Sequence, residues 1–429
     1  MTRAADGTLS SPNPNWLGDR VTAAVARNYA GMDAEAWKRL YPLSLEAPAL
    51  AHLRGSVGEV AAARGWPRRA AEEIEIAASL APRDLGGQLD LANSAFRLRE
   101  YEDARKRAAD LALLYPENAN VQRLESDIDS FDRFEFRTEL HSYNERNNGA
   151  ADAPGSGFDT TNRIYSPPIA DHWRILGGFD FAYAQPLEGW VDRYHIGGGF
   201  EWRIPSVTVE ATGWGNTGTL HRGGARLAAG WTPTDHWNFE ADTELYSMET
   251  PLRAVLHGIT ANSVGGGAGY DWHESTGLSV GLHAYDFSDG NRRLAGGFRF
   301  AQRLVDRPHL KVTVRPEIYV SRNTKLDAPY FNPSQDLSVL PGLDILHTLW
   351  RHYERSFRQH ITGGIGTYWQ RGYGTGTIAS ITYEQIYQVS PNTELHYGAT
   401  YSRRVYDGDP VDSITFSLAL AQRFSREFK

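Results

Sequence analysis

From Arg133 onward apolar and polar residues alternate. In the segment 133–140 the even positions Phe134, Phe136, Thr138 and Leu140 are apolar or neutral and the odd ones charged, a period of two that no amphipathic helix tolerates. Such a segment is a strand with one oily face. The alternation returns in Trp173/Ile175/Phe179/Phe181, Tyr194/Ile196/Phe200/Trp202, Trp237/Phe239/Ala241/Leu245, Leu278/Val280/Leu282, Leu310/Val312/Val314 and Leu395/Tyr397/Ala399/Tyr401. Turn signals at Pro233, Asp289-Gly290, Pro391-Asn392 and Asp407-Gly408 separate such segments. About sixteen segments fit between Arg133 and Phe428, leaving ~18 to 19 residues for each strand and its connection, enough for ~9 to 11 membrane residues and a turn. The last is the sharpest: Ile414, Phe416, Leu418, Leu420 and Phe424 fall on one face, and Thr415, Ser417, Ala419, Ala421 and Arg423 on the other. So many strands exceed an ordinary β-sandwich and predict a transmembrane antiparallel β-barrel over 131–429.

Residues 1–130 follow a different rule. Pro48, Pro82 and Pro116 are 34 apart (82 − 48 and 116 − 82), as are Ala36, Ala70 and Ala104, and Ala24, Gly58 and Ala92. Three columns sharing one period, with small residues where helices cross and a proline after the second helix, form the tetratricopeptide pattern. In one repeat Leu91, Ala92 and Ala95 are expected to face Ala104, Ala108 and Leu111, with Tyr101 at the turn; Leu124 and Ile128 then lie on a terminal capping helix. Further repeats are expected upstream. The first residues show no apolar core of a secretory signal, so the start reads as a mature or truncated N-terminus.

Composition narrows the picture. The chain has no run approaching ~20 apolar residues, so no helix spans a bilayer; a spanning structure has to be a closed barrel, which satisfies every backbone group. Twelve per cent of residues are aromatic, including 12 Trp and 21 Tyr, at a polar mean hydropathy of −0.48. That pairing suits aromatic girdles at two membrane interfaces, with outer-membrane lipid as a neighbour. Cysteine is absent, which removes disulfides and thiolate metal sites. A formal charge of −8 argues against nucleic acid as a partner. Histidines are scattered, with no HExxH motif or GxSxG elbow, and Gly265–Gly269 reads as a strand device. No catalytic residues, metal or cofactor are expected; a barrel-borne hydrolase with a His/Ser pair is the enzymatic alternative.

A barrel of about sixteen strands leaves an aqueous channel. If the oily positions face lipid, their alternates line the lumen: Glu135, Glu139, Asp180, Glu201, Glu210, Glu240, Asp242, Glu244, Glu317, Asp344, Glu384 and Glu394. They outnumber the inward bases Arg137, Arg174, Arg193, Arg203, Arg226, Arg299, Lys311, Arg315 and Arg423. Three acids stacked at Glu240, Asp242 and Glu244 repel one another unless a cationic ligand visits. Inward Tyr143, Trp214, Tyr246, Tyr285, Tyr319 and Trp350 are candidates for stacking on sugar rings. Connections look short apart from 146–158 and 322–337.

The strings Asp327-Ala-Pro-Tyr-Phe-Asn-Pro333, His347-Thr-Leu-Trp-Arg-His-Tyr-Glu354, Gly366-Thr-Tyr-Trp-Gln-Arg371 and Tyr406-Asp-Gly408 resemble the poly-β-1,6-N-acetylglucosamine export porins of Gram-negative outer membranes, and repeats followed by a barrel are that family's architecture. The resemblance covers nearly the whole chain. It implies export of a partly deacetylated hexosamine polymer for biofilm formation, with the repeats in the periplasm binding a deacetylase and the barrel acting as a monomer. An exporter of cellulose or alginate stays open as an alternative. Free amines would make the polymer partly cationic, which suits an acidic lumen that binds weakly at many points.

Overall fold

The computed structural model describes residues 2–3, 10–11, 15–146 and 155–425; Phe428 and the middle of the 146–158 connection lie outside them. The chain forms two units, a helical one that ends at Ile128 and a barrel that begins at Asp129.

The helical unit consists of α1 (Trp16–Tyr29), α2 (Asp33–Glu46), α3 (Ala51–Ala63), α4 (Pro67–Leu80), α5 (Leu85–Arg97), α6 (Tyr101–Leu114) and α7 (Ala119–Phe131). Each column of the repeat has a physical task. Ala36, Ala70 and Ala104 are buried on the second helices. At Gly58 a Cβ would lie 2.6 Å from Cγ1 of Ile74 and 3.1 Å from the Ala70 carbonyl oxygen, so α3 and α4 approach more closely than a methyl group permits. After each second helix the proline carbonyl accepts from the next first helix: from Arg54 at 3.0 Å for Pro48, Gln88 at 3.2 Å for Pro82 and Gln122 at 2.9 Å for Pro116. The turn inside each hairpin takes positive φ at Gly31, Gly65 and Arg99, so the third repeat carries an arginine where the others use glycine. Ala92, Ala108 and Leu111 pack with Val121, Leu124 and Ile128 of the last helix. Leu91 differs from expectation, packing toward Ala61, Ala70 and Ile74 of the preceding repeat. It stands one residue before Ala92, and on a helix neighbouring positions point about 100° apart.

Burial pushes the Asp90 carboxyl on α5 up to about 7; Glu59 on α3 adds to the rise and Arg97 opposes it. An acid whose folded pKa is raised stabilises the fold at low pH and loses that contribution as pH climbs through the folded value. The opening free energy of α5, read from hydrogen-exchange protection factors corrected for the intrinsic pH dependence of amide exchange, is therefore expected to be larger at pH 5 than at pH 8. Asp90→Asn should abolish most of that difference, worth roughly 2 kcal/mol once partial hydration is allowed for. An unchanged pH dependence in the variant would show that other groups cause it.

The barrel is an antiparallel meander: β1 (Phe134–Arg146), β2 (Ser156–Tyr165), β3 (Trp173–Gln185), β4 (Val191–Ile204), β5 (Val207–Gly218), β6 (Gly223–Trp231), β7 (Trp237–Leu245), β8 (Ala261–His273), β9 (Thr276–Phe287) and β10 (Arg292–Arg307). Then come β11 (Leu310–Val314 and Glu317–Asn323), β12 (Gln335–Leu340 and Gly342–His352), β13 (Arg355–Gln370), β14 (Gly374–Ser390), β15 (Thr393–Tyr406) and β16 (Asp409–Phe424). Pro316 and Pro341 interrupt β11 and β12 because proline cannot donate to the ladder. The register runs on unchanged, with Val314 opposite Leu343 before the breaks and Glu317 opposite Leu340 after them. β16 pairs with β1, Phe424 opposite Phe134, and closes a wall of sixteen strands.

Directly opposed residues share a face, so the pairing sorts the wall into two surfaces. The outer one carries Leu282, Ile365 and Phe416, which are 64%, 72% and 60% exposed; only lipid makes so large an apolar surface stable. Outward Trp173, Trp202, Trp231, Trp237 and Trp272 sit near the strand ends on the side where β1 begins, as an interfacial girdle. Turns on that side, such as 205–206 and 274–275, are short. The opposite side has 246–260 and 324–334, the longer loops that barrels of this class carry outward. The 246–260 connection, expected to be short, holds the helix α8 (Leu252–Leu256); its lack of alternation gave no sign of its length.

Candidate functional site in the barrel lumen

Pairing places all twelve acids named above on the inner face, but most are committed to partners. Glu135 faces Arg174 at 3.4 Å and Arg423 at 3.3 Å and also pairs with Arg137. Asp180 forms a two-pronged pair with Arg163, one bond being 2.8 Å. Glu201 meets Arg203 at 2.7 Å, Glu210 meets Arg226 at 3.4 Å and Glu317 meets Arg299 at 3.6 Å. On β11 to β15 the charges form a chain. Arg315 meets Asp344 at 2.8 Å, His360 meets Asp344 and Glu384 at 3.2 Å each, and His396 meets Glu384 at 3.3 Å and Glu394 at 2.7 Å. Histidines that look scattered in sequence thus come together, because positions 360 and 396 lie on β13 and β15, the two strands that flank β14 and its Glu384. Glu244 accepts from the Ser247 hydroxyl at 2.6 Å.

Among the described residues, Glu139, Glu240 and Asp242 of this set carry no ion pair or side-chain hydrogen bond. Two of them are successive inward positions of β7. Opposite them on β8 stand Gly267, paired with Glu240, and Gly265, paired with Asp242. A Cβ at Gly267 would come within 2.7 Å of a Glu240 carboxylate oxygen, and one at Gly265 within 3.0 Å of Asp242 Oδ1. The glycine run is therefore a shelf over which two unneutralised carboxylates extend. Gly281 and Gly297 continue the row from Gly267 to Tyr319 on β11, leaving a bare wall beside Glu240, whereas the His283 imidazole lies over Gly265 in the row of Asp242.

Of the six aromatic candidates, five face inward and are largely held in place. Tyr143 donates to the Tyr183 carbonyl at 3.3 Å. Trp214 lies flat against His195 with centroids 5.8 Å apart, and Tyr246 sits 6.1 Å from the same imidazole. Tyr285 bonds Glu249, and Tyr319 accepts from Arg293 at 2.5 Å. Trp350 is a correction. A bulge between Thr348 and Trp350 shifts the register by one residue and sets Trp350 opposite Phe357, an outward position. There it meets Tyr387 edge-on at 6.1 Å as part of the interfacial aromatics.

The loop 246–260, which the alternation did not reveal, enters the lumen. Inward Arg193 donates to the carbonyls of Met248 at 2.6 Å and Thr250 at 3.1 Å. Ser247 and Glu249 bond the inward Glu244 and Tyr285. Val255 on α8 is fully buried with Ala184 and Val191, and Arg253 binds Glu188 of a neighbouring loop at 3.0 Å. Since its partners are inward residues near the outer ends of β3, β4, β7 and β9, the loop folds into that end of the lumen and leaves open the wall on the far side of the glycine shelf. The second long loop is locked at its root. Asn291, fully buried, donates to Asn323 at 3.0 Å and to the Tyr330 hydroxyl at 3.1 Å, and accepts from the backbone N–H groups of Thr324 and Lys325. Phe331 packs edge-on to Tyr406 at 4.9 Å.

These features have relatives. The family model of the PgaA membrane β-barrel domain matches residues 137–424. The poly-β-1,6-N-acetyl-D-glucosamine export proteins of Escherichia coli K12 and O157:H7 are each 31% identical over 431 residues, covering 97% of this chain and 52% of theirs. The chain thus spans about half the length of these relatives. A solved structure described as a bacterial polysaccharide outer membrane secretin superposes with a TM-score of 0.62 at 29% identity, covering 68% of this chain and 99% of its own. With a closed sixteen-stranded wall, an oily outer face and a family match across the barrel, the chain belongs to the PgaA membrane β-barrel family and is an outer-membrane barrel.

Proposed function

We propose that this barrel carries partly deacetylated poly-β-1,6-N-acetylglucosamine from the periplasm to the cell surface, where the polymer supports a biofilm. The observation that carries the reading is the Glu240/Asp242 pair, unneutralised on a glycine shelf, in a chain 31% identical to proteins named for export of that polymer. A carboxylate left without a cation in a wet channel attracts one. Free amines on an otherwise neutral polymer are suitable visitors, held weakly enough to move on. Glu139 adds a further free acid on β1. The paired acids hold the wall together and shape the field. The barrel works as a monomer, and the helical repeats dock the periplasmic deacetylase, as concave repeat surfaces suit a protein partner. In a strain lacking this chain, polymer is expected to collect in the periplasm and vanish from the surface. Normal surface polymer in that strain would overturn the reading.

A further inference from the structure

The open side of the lumen changes chemistry along its length. One cavity of about 420 Å³ is bordered by Glu240, Glu249, Glu317, His283 and Tyr285. A second, of about 610 Å³, is bordered by Phe331, Asp336, Tyr368, Arg404 and Tyr406. Arg293, Tyr319 and Ser338 border both, so the two meet there. The first holds three carboxylates and two guanidinium groups, with Glu317 paired to Arg299 and Glu249 bonded by Tyr285, so that Glu240 is its free acid. In the second, aromatic rings and three guanidinium groups dominate, of which Arg403 is paired with Asp412 at 3.9 Å; Asp336 accepts a hydrogen bond from the Ser321 hydroxyl.

Among the described residues neither Arg293 nor Arg404 forms an ion pair, although arginines elsewhere on the inner wall do. Arg293 spends one nitrogen on the Tyr319 hydroxyl, and its buried Nε has no acceptor. Unpaired guanidinium donors beside tyrosine rings suit a ligand that offers oxygen acceptors and an apolar C–H face. They repel an ammonium group. An N-acetylated pyranose has that chemistry: its acetamido and hydroxyl oxygens accept, and its ring face stacks. A hexosamine with a free amine keeps the hydroxyls and the ring face but lacks the acetamido oxygen and brings a positive charge that the guanidinium groups repel.

We propose that this second cavity is a binding site for neutral N-acetylhexosamine units, with the half-buried Tyr319 as ring platform, Tyr368 and Tyr406 buried behind the wall, and Arg293 and Arg404 as donors to the acetamido oxygen. The site rests on the polymer reading above for its ligand. It adds that the channel grips acetylated and deacetylated units at different places, amines at Glu240 and Asp242 and acetylated rings beyond Arg293. A chain with amines at every unit would be opposed at the second site.

The test uses the whole chain in planar bilayers, with β-1,6-linked pentamers of N-acetylglucosamine and of glucosamine as probes of ion-current block. In the unaltered protein the acetylated pentamer is expected to block. In the Arg293→Gln, Arg404→Gln variant its residence time should fall about tenfold, while that of the glucosamine pentamer lengthens. Tyr319→Leu, which keeps both charges, should shorten the acetylated block alone. Acetylated residence unchanged in both variants would overturn the second site while leaving the polymer reading intact, provided either pentamer still blocks the unaltered protein. If neither pentamer blocks it, both readings fall.

Discussion

Replacing Glu240 by Gln and Asp242 by Asn together is expected to lower surface polymer at least about tenfold, with the barrel inserted normally. The exchange keeps shape and removes two charges. Because neither carboxylate carries an ion pair, no buried partner is stranded, and the usual cost of breaking a paired charge does not arise. What disappears is attraction for a visiting amine, and about 1.4 kcal/mol of lost attraction is already a factor of ten. Glu201→Gln makes the comparison: its carboxylate is held by Arg203 at 2.7 Å, so its effect on export should be far smaller. Glu244, which belongs with the other two by sequence, acts through the loop that it holds by Ser247. Surface polymer and heat-modifiable migration of the barrel would be measured side by side. Undiminished polymer in the double variant would show that the acid pair is no part of the track.

The second large effect concerns the loop inside the lumen. Replacing residues 248–258 by a short Gly-Ser link is expected to raise single-channel conductance several-fold, since current follows the open cross-section. Arg193→Ala should give part of that increase, with flicker. Its guanidinium holds two loop carbonyls, and hydrogen bonds to a charged group contribute about 1.5 to 3 kcal/mol each. The contacts of Val255 with Ala184 and Val191 remain in that variant, so the loop should loosen without leaving. Equal conductance in the deletion variant and the parent would mean that the loop does not restrict flow.

Much of the fold can be read from the chain because its two periods are local. The 34-residue columns already identify which alanines meet and where helices end, and strand alternation assigns faces wherever the ladder is regular. Trp350 shows the limit. One extra residue in a strand reverses every face beyond it, and the bulge at Thr348 leaves no mark in the alternation. The interior loop escaped for a related reason: Leu252, Val255 and Leu256 are apolar at helical spacing over only one turn, too short to stand out. The inner acids were legible as a set but not by role. Whether a carboxylate is paired depends on the neighbouring strand's register; Gly267 matters to Glu240 only because β8 sets them opposite each other. Part of the family strings turned out to serve the outward loops. Tyr330 and Phe331 pin the second long loop, and Gln370 and Asp407 tie two turns together.

The most direct measurement is polymer location in the deletion strain, quantified at the surface and in the periplasm, with the chain returned intact or as the Glu240→Gln, Asp242→Asn variant. The expected result is periplasmic polymer in the deletion strain, surface polymer on return of the intact chain, and retention in the periplasm with the variant. Surface polymer that persists in the deletion strain would contradict the conduit itself.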